Sequence, residues 1–205
     1  MSLTIYGTPA SRAFRVLWAA HELALPFELV PHHYAGPETK GADYLAINPN
    51  GTVPAIVDDG VPLFESLAIN LYLARKAGRL WPAGIADEGR LYQWTLWAGT
   101  EVDPVIGQWA YHTFFLPPEQ RKPELAAEGA TRLRRRLDVV DGALARRRWL
   151  AGDDFTIADL NVAAVLYRAP RFGIDAWPHL ADWHARCYAR PAAKVAVALR
   201  EAKAA

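Results

Sequence analysis

Val53-Pro54-Ala55-Ile56-Val57-Asp58-Asp59-Gly60-Val61-Pro62-Leu63-Phe64-Glu65-Ser66, residues 53–66, is the stretch that decides the fold. Two short β-like runs flank the turn sequence Asp58-Asp59-Gly60, so the stretch predicts an antiparallel hairpin. Glu65-Ser66 then opens a helix with Ile69, Leu71, Tyr72 and Leu73 on its apolar side. Upstream, Leu3-Thr4-Ile5-Tyr6 alternates as a strand does and stops at Gly7-Thr8-Pro9. Ser11 stands at a helix N-cap position before Phe14, Leu17, Trp18 and His21, and Phe27 to Val30 reads as a second strand. The helical crossover makes the first strand pair parallel, whereas the hairpin pair is antiparallel. An α/β domain with a mixed four-stranded sheet over residues 1–78 satisfies both constraints.

A Gly/Pro-interrupted segment at 79–87, containing Leu80-Trp81-Pro82, reads as a linker. Residues 88–205 carry almost only helix-period patterns, so an all-α domain is expected there, with helices near 88–113, 119–148, 157–168, 179–189 and 192–202. Thr156-Ile157-Ala158-Asp159 resembles a capping box, with Asp159 in place of the usual Glu or Gln and Phe155 and Leu160 as the staple.

Composition removes several function classes. The 205 residues hold 23 Lys+Arg against 22 Asp+Glu, a net charge of +1, so no global field favours nucleic acid or an anionic membrane. The basic runs 134–136 and 146–148 read as one face and the C-terminus of an amphipathic helix rather than a nucleic-acid patch. A single cysteine, Cys187, excludes a disulfide framework and a redox CxxC pair within the chain. The six histidines lack metal-ligand spacing, and phosphate-loop, dinucleotide-turn, nucleophile-elbow and HExxH patterns are absent from the sequence. The first residues lack the regions of a secretory signal, and the longest uncharged stretch, Pro104 to Pro118, is too short to span a bilayer. A cytoplasmic protein without metal, membrane or nucleic-acid partner is the expectation.

Three short segments of the first domain can converge on one small zwitterion. Pro9-Ala10-Ser11 places a hydroxyl at a helix start, where N–H groups and the helix dipole favour negative charge. Val53-Pro54 begins a strand, where a cis bond would leave the Val53 backbone free to pair with an extended ligand. Glu65-Ser66 offers a carboxylate, a hydroxyl and an amide suited to an ammonium and a carboxylate together.

Four segments, Thr8-Pro9-Ala10-Ser11, residues 47–55, residues 63–69 and Phe155 to Asp159, resemble those of cytosolic glutathione transferases in the same order, and Arg190-Pro191-Ala192 resembles a late helix boundary of that family. The likeness is to the Ser-type members, phi-like or bacterial, and it implies a thioredoxin-like domain followed by an all-helical one. It further implies that Ser11 donates a hydrogen bond to the glutathione sulfur, with Tyr6 as the rival donor. Val53 would pair with the cysteinyl backbone, Pro54 would be the cis-proline, Glu65 and Ser66 would hold the γ-glutamyl end, and Lys40 would lie near the glycyl carboxylate. Glutathione is the implied co-substrate, conjugation to a small apolar electrophile the implied reaction and a homodimer the implied assembly. Trp109, Tyr111, Phe114, Phe115 and Trp177 are the candidates for the electrophile site. Glutathione-dependent peroxidase or isomerase chemistry needs only the same activated thiol, and a non-catalytic ligand-binding or interaction protein is the alternative. A thiol oxidoreductase of this fold is disfavoured, since neither Ser11 nor its neighbours is cysteine.

Overall fold

The computed structural model describes residues 2–202 and divides into two compact units. The first comprises the chain as far as Trp81 together with the chain from Tyr188, and the second spans Pro82–Cys187. The sheet of the first unit is built from β1 (Leu3–Tyr6), β2 (Glu28–Val30), β3 (Ala55–Asp58) and β4 (Val61–Phe64) in the order β2-β1-β3-β4. β1 and β2 are parallel, and the β1/β3 and β3/β4 pairs are antiparallel, as the crossover and the hairpin require. Ile5 and Ile56 pair in the central ladder and are fully buried, beneath α1 (Ala13–Glu22) and α3 (Ser66–Ala77). A short helix, α2 (Ala42–Ile47), belongs to the opposite layer, where Tyr44 packs in a cluster with Val53, Ala55, Tyr6 and Ile47.

The register positions the candidate site. Tyr6 is opposite Ala55, and Ala55 is opposite Phe64. The segment leaving β1, the segment entering β3 and the segment leaving β4 therefore meet at one end of the sheet.

The second unit contains α4 (Ile85–Trp97), α5 (Asp103–Ala110), α6 (Pro123–Leu144), α7 (Ile157–Val165), the single turn α8 (Ala169–Phe172) and α9 (Pro178–Tyr188), whose last residue already belongs to the first unit. α4 starts inside the segment expected to be a linker. The single helix expected over 88–113 is interrupted by π turns at Ala98–Val102 and Tyr111–Phe115. α6 is shorter than the expected 119–148: Pro123 occupies its first turn, and it ends at Leu144. The run Arg146-Arg147-Arg148 thus follows the helix rather than lying in its last turn. The capping box at Thr156 and Asp159 is formed. Burial pushes the Asp159 carboxyl pKa upward, opposed by the Leu150 and Thr156 amides, the Trp183 indole and the Thr156 hydroxyl, all of which donate to it.

One long-range feature departs from the expected 88–205 domain. α10 (Pro191–Ala202) returns to the first unit, packing Ala193 and Ala196 inward, and Tyr188 at its approach lies 5.0 Å from the Trp18 ring of α1. Small side chains let the α10 backbone come close to α1. Residue 1 and residues 203–205, the outer ends of the two expected domains, lie outside the described residues.

Candidate active site

Gly7 turns the chain out of β1 with φ +135°, a conformation that L side chains rarely adopt. A Cβ there would come within 2.8 Å of Ala13 Cβ, 3.2 Å of Val53 Cβ and 3.5 Å of Ser11 Oγ. Only glycine fits, and the same distances place the Ser11 hydroxyl and Val53 around one point. Ser11 lies two residues ahead of α1, not at the boundary residue itself, which is Arg12. Its Oγ nevertheless accepts the Ala13 N–H at 3.1 Å and donates to the Thr8 carbonyl at 2.7 Å.

The Val53-Pro54 bond is cis. The loop before it is held from within: Asn48 Nδ2 and the Tyr44 hydroxyl both donate to the Thr52 carbonyl, at 2.7 and 2.6 Å, and the Asn48 side chain also accepts the Asn50 N–H. Burial pushes the Tyr44 phenol up to about 12, so it remains a donor at neutral pH. Lys40, on the turn Pro37–Lys40, extends its Nζ to within 2.7 Å of the Gly51 carbonyl, two residues before Val53.

At the end of β4, Glu65 is held at φ 70°, ψ 105°, outside the usual regions for a side-chain-bearing residue. Such conformations persist where the surroundings over-determine them and cluster at functional sites. The Glu65 carbonyl accepts the Ile69 N–H, beginning α3, while its exposed side chain has no hydrogen bond or ion pair among the described residues. Ser66 is buried and accepts a hydrogen bond from Arg15 Nη1 at 3.3 Å. Asn70, one turn further along α3, donates to the Arg15 carbonyl. This buried Arg15–Ser66–Asn70 link between α1 and α3 escaped sequence reading. Its only signal was a lone arginine inside the apolar run Ala13 to Ala20.

Tyr6 is differently placed. Its ring lies 5.5 Å from His32 and 5.7 Å from Tyr44, within the cluster under α2. Packing accounts for it.

In the second unit, the five aromatic candidates form one connected cluster. Trp109 meets Phe114 edge-on at 5.5 Å, Phe114 lies 4.7 Å from Phe115, and Phe115 lies 5.9 Å from Tyr111. Trp177 joins through Phe172, which stacks on it at 6.2 Å and touches Trp109 at 5.1 Å. Trp109 is core, only 7% exposed, whereas Tyr111 and Phe115 are 53% and 50% exposed. Phe172 was missed because it lies on a one-turn helix with no periodicity to read. Arg134, Arg168 and Arg171 lie over the rings of Phe172, Phe115 and Phe114, so the aromatic surface is fringed with positive charge. Among the described residues no group of histidine, cysteine, aspartate or glutamate is placed to hold a metal, and no helix is long and apolar enough to cross a membrane.

Residues 1–75 match the family model described as the glutathione S-transferase N-terminal domain, and residues 102–191 match that of its C-terminal domain. The chain belongs to the glutathione S-transferase family. Membership makes it an enzyme with glutathione as co-substrate. Among curated relatives it is similar to glutathione S-transferase 3 of Zea mays, 36% identical over 96% of this chain and 93% of that protein. It is also similar to elongation factor 1-gamma 2 of Oryza sativa subsp. japonica, 33% identical over 82% of this chain but only 40% of that longer protein. Among solved structures, the theta class glutathione S-transferase of Xanthomonas axonopodis pv. citri, with glutathione bound, superposes with a TM-score of 0.89 at 29% identity, covering 95% of this chain and 96% of that one.

Proposed function

We propose that this glutathione S-transferase conjugates glutathione to small apolar electrophiles, with the Ser11 hydroxyl as the donor to the sulfur. The observation that carries this reading is the convergence of Ser11 Oγ and Val53 on one point beside Gly7, at the same end of the sheet as Glu65-Ser66. The unpaired Glu65 carboxylate suits the α-ammonium of the γ-glutamyl group, and the first N–H groups of α3 suit its carboxylate. Lys40 supplies a cation for the glycyl carboxylate, and the Val53 backbone pairs with the cysteinyl residue between them.

A free thiol has a pKa near ~8.5, and the thiolate is the nucleophile. Lowering that value by about 2 units takes ~2.7 kcal/mol of preferential thiolate stabilisation. A hydroxyl donor and the start of α1 together are of that order. To serve the sulfur, Ser11 has to turn its O–H away from the Thr8 carbonyl by rotation about the Cβ–Oγ bond, which leaves Oγ in place. The thiol proton goes to solvent, the sulfur forms the new bond to the electrophilic carbon, and the leaving group departs with the bonding pair. Ser11 itself stays unmodified.

The exposed Tyr111 and Phe115, with half-buried Phe114 and Trp177, supply the wall for the electrophile, over the core residue Trp109. A homodimer completes the reading, supported by family membership and by exposed Tyr92, Leu96 and Val139 on α4 and α6. A second reading, a non-catalytic binding or interaction role, is favoured by one observation: the Ser11 hydroxyl already has both its donor and an acceptor function satisfied. Turnover of a chloroarene with and without glutathione separates the two. Glutathione-dependent loss of chloride supports the enzyme; glutathione binding without turnover of any of a panel of apolar electrophiles supports the binding protein.

A further inference from the structure

The α1–α10 pair is closed at both ends by arginines of the C-terminal segment. Arg190 pairs with Glu22 at the C-terminal end of α1, its Nε 2.9 Å from Oε1. Ten residues on, about 15 Å along a helix, Arg200 reaches the opposite end of α1. There Nη1 donates to the Pro9 and Ser11 carbonyls, each at 3.0 Å, and the guanidinium lies 5.4 Å from the centre of the Phe14 ring. We propose that Arg200 is a positioning residue for Ser11, fixing the peptide groups that carry the hydroxyl and holding a positive charge beside the sulfur. The proposal rests on the Ser11 reading above.

The geometry makes the arginine more than a helix-packing contact. Carbonyls two residues apart belong to peptide groups on either side of Ala10-Ser11, and one nitrogen bridging them orients both. The Ser11 carbonyl also accepts the Phe14 N–H at 3.2 Å, so the peptide plane entering α1 is held from two sides. With its backbone held there, Ser11 keeps its Oγ in place, and only the O–H has to turn about the Cβ–Oγ bond to donate to the thiolate. A guanidinium bound to the serine's own carbonyl also favours an anion at the neighbouring hydroxyl's partner. Arg12, just before α1, and Arg15 on α1 add positive charge nearby and remain in every variant below. The Arg190–Glu22 contact provides the internal control: it belongs to the same helix pair but lies at the far end from Ser11.

Calorimetry of glutathione binding, ultraviolet titration of the bound thiolate and steady-state turnover should be run on wild type, Ser11→Ala, Arg200→Ala, Arg200→Lys and Arg190→Ala. Arg200→Ala is expected to raise the bound thiol pKa by about 0.5–1 unit and lower kcat about 3- to 10-fold, with glutathione Kd within about 2-fold of wild type. Arg200→Lys restores the charge and part of the shift. Arg190→Ala lowers the melting temperature and leaves the thiol pKa in place. An unchanged pKa in Arg200→Ala, or an equal shift in Arg190→Ala, overturns the proposal. Should Arg200→Ala fail to fold, Arg200→Gln, which keeps a donor and removes the charge, takes its place under the same criteria. An unshifted thiol pKa in Ser11→Ala brings down the Ser11 reading and this proposal with it. A shift in Ser11→Ala with none in either Arg200 variant brings down this proposal alone.

Discussion

Replacing Asp159 with alanine should remove a large part of the stability of the helical unit. The carboxylate is fully buried and accepts from Leu150 N–H at 2.9 Å, Thr156 N–H and Oγ1 at 3.0 Å each, and Trp183 Nε1 at 2.9 Å. It thus ties the start of α7 to the chain before it and to α9. Truncation leaves the Leu150 and Thr156 amides and the Trp183 indole as buried donors without this acceptor, each costing about 1–3 kcal/mol. Partial relaxation and water entry lower the total, so a loss of about 3–5 kcal/mol is expected, against about 5–15 kcal/mol for a whole domain. Thr156→Ala removes the reciprocal cap alone and should cost about 1 kcal/mol. The two substitutions should be less than additive, because they share the hydroxyl–carboxylate bond. Urea unfolding followed by tryptophan fluorescence measures all three variants, with Trp183 reporting from the site itself. An Asp159→Ala protein within about 1 kcal/mol of wild type, or a Thr156→Ala loss as large as that of Asp159→Ala, would refute the reasoning.

Burial lowers the His184 pKa from 6.5 to about 4, so the unfolded chain binds its proton first as pH falls. Stability should be full above pH 6.5 and fall by up to about 3 kcal/mol toward pH 4; His184→Gln should flatten that slope in denaturant titrations across the window. Glu65→Ala should raise the glutathione Kd at least about 10-fold, the value of one charge-assisted hydrogen bond, and calorimetry showing an unchanged Kd would remove Glu65 from the site. Sedimentation at micromolar concentration should give a species of twice the 22.7 kDa chain, and a species at the chain mass would defeat the dimer.

What was legible in the sequence was local. The hairpin followed from Asp58-Asp59-Gly60 between two β-like runs, and the capping box from the three-residue spacing of Thr156 and Asp159. The mixed character of the sheet followed because a helix crossover makes one strand pair parallel and a hairpin makes the other antiparallel, whereas the order β2-β1-β3-β4 came from the structure. Contacts between distant segments were not legible. Nothing in the periodicity of 191–202 marks α10 as the partner of α1, because burying Ala193 and Ala196 serves any close neighbour equally well. Nothing in the sequence assigns a partner to Arg15 or Arg200; the fold places Ser66 against one and the Pro9 and Ser11 carbonyls against the other. The π turns at 98–102 and 111–115 escaped for a related reason, since a one-residue widening leaves the apolar spacing nearly helical. The direction of the Ser11 hydroxyl is a rotamer choice, set by the Thr8 carbonyl and invisible to any spacing.

The most direct test of serine-assisted thiol activation is the ultraviolet titration of glutathione bound to wild type, Ser11→Ala and Tyr6→Phe. The expected wild-type thiol pKa is about 2 units below the free value near ~8.5. Ser11→Ala should return it upward by about 1–2 units, while Tyr6→Phe, which alters a ring packed against His32 and Tyr44, should leave it in place. A large upward shift in Tyr6→Phe, with none in Ser11→Ala, would contradict the assignment and make the phenol the donor.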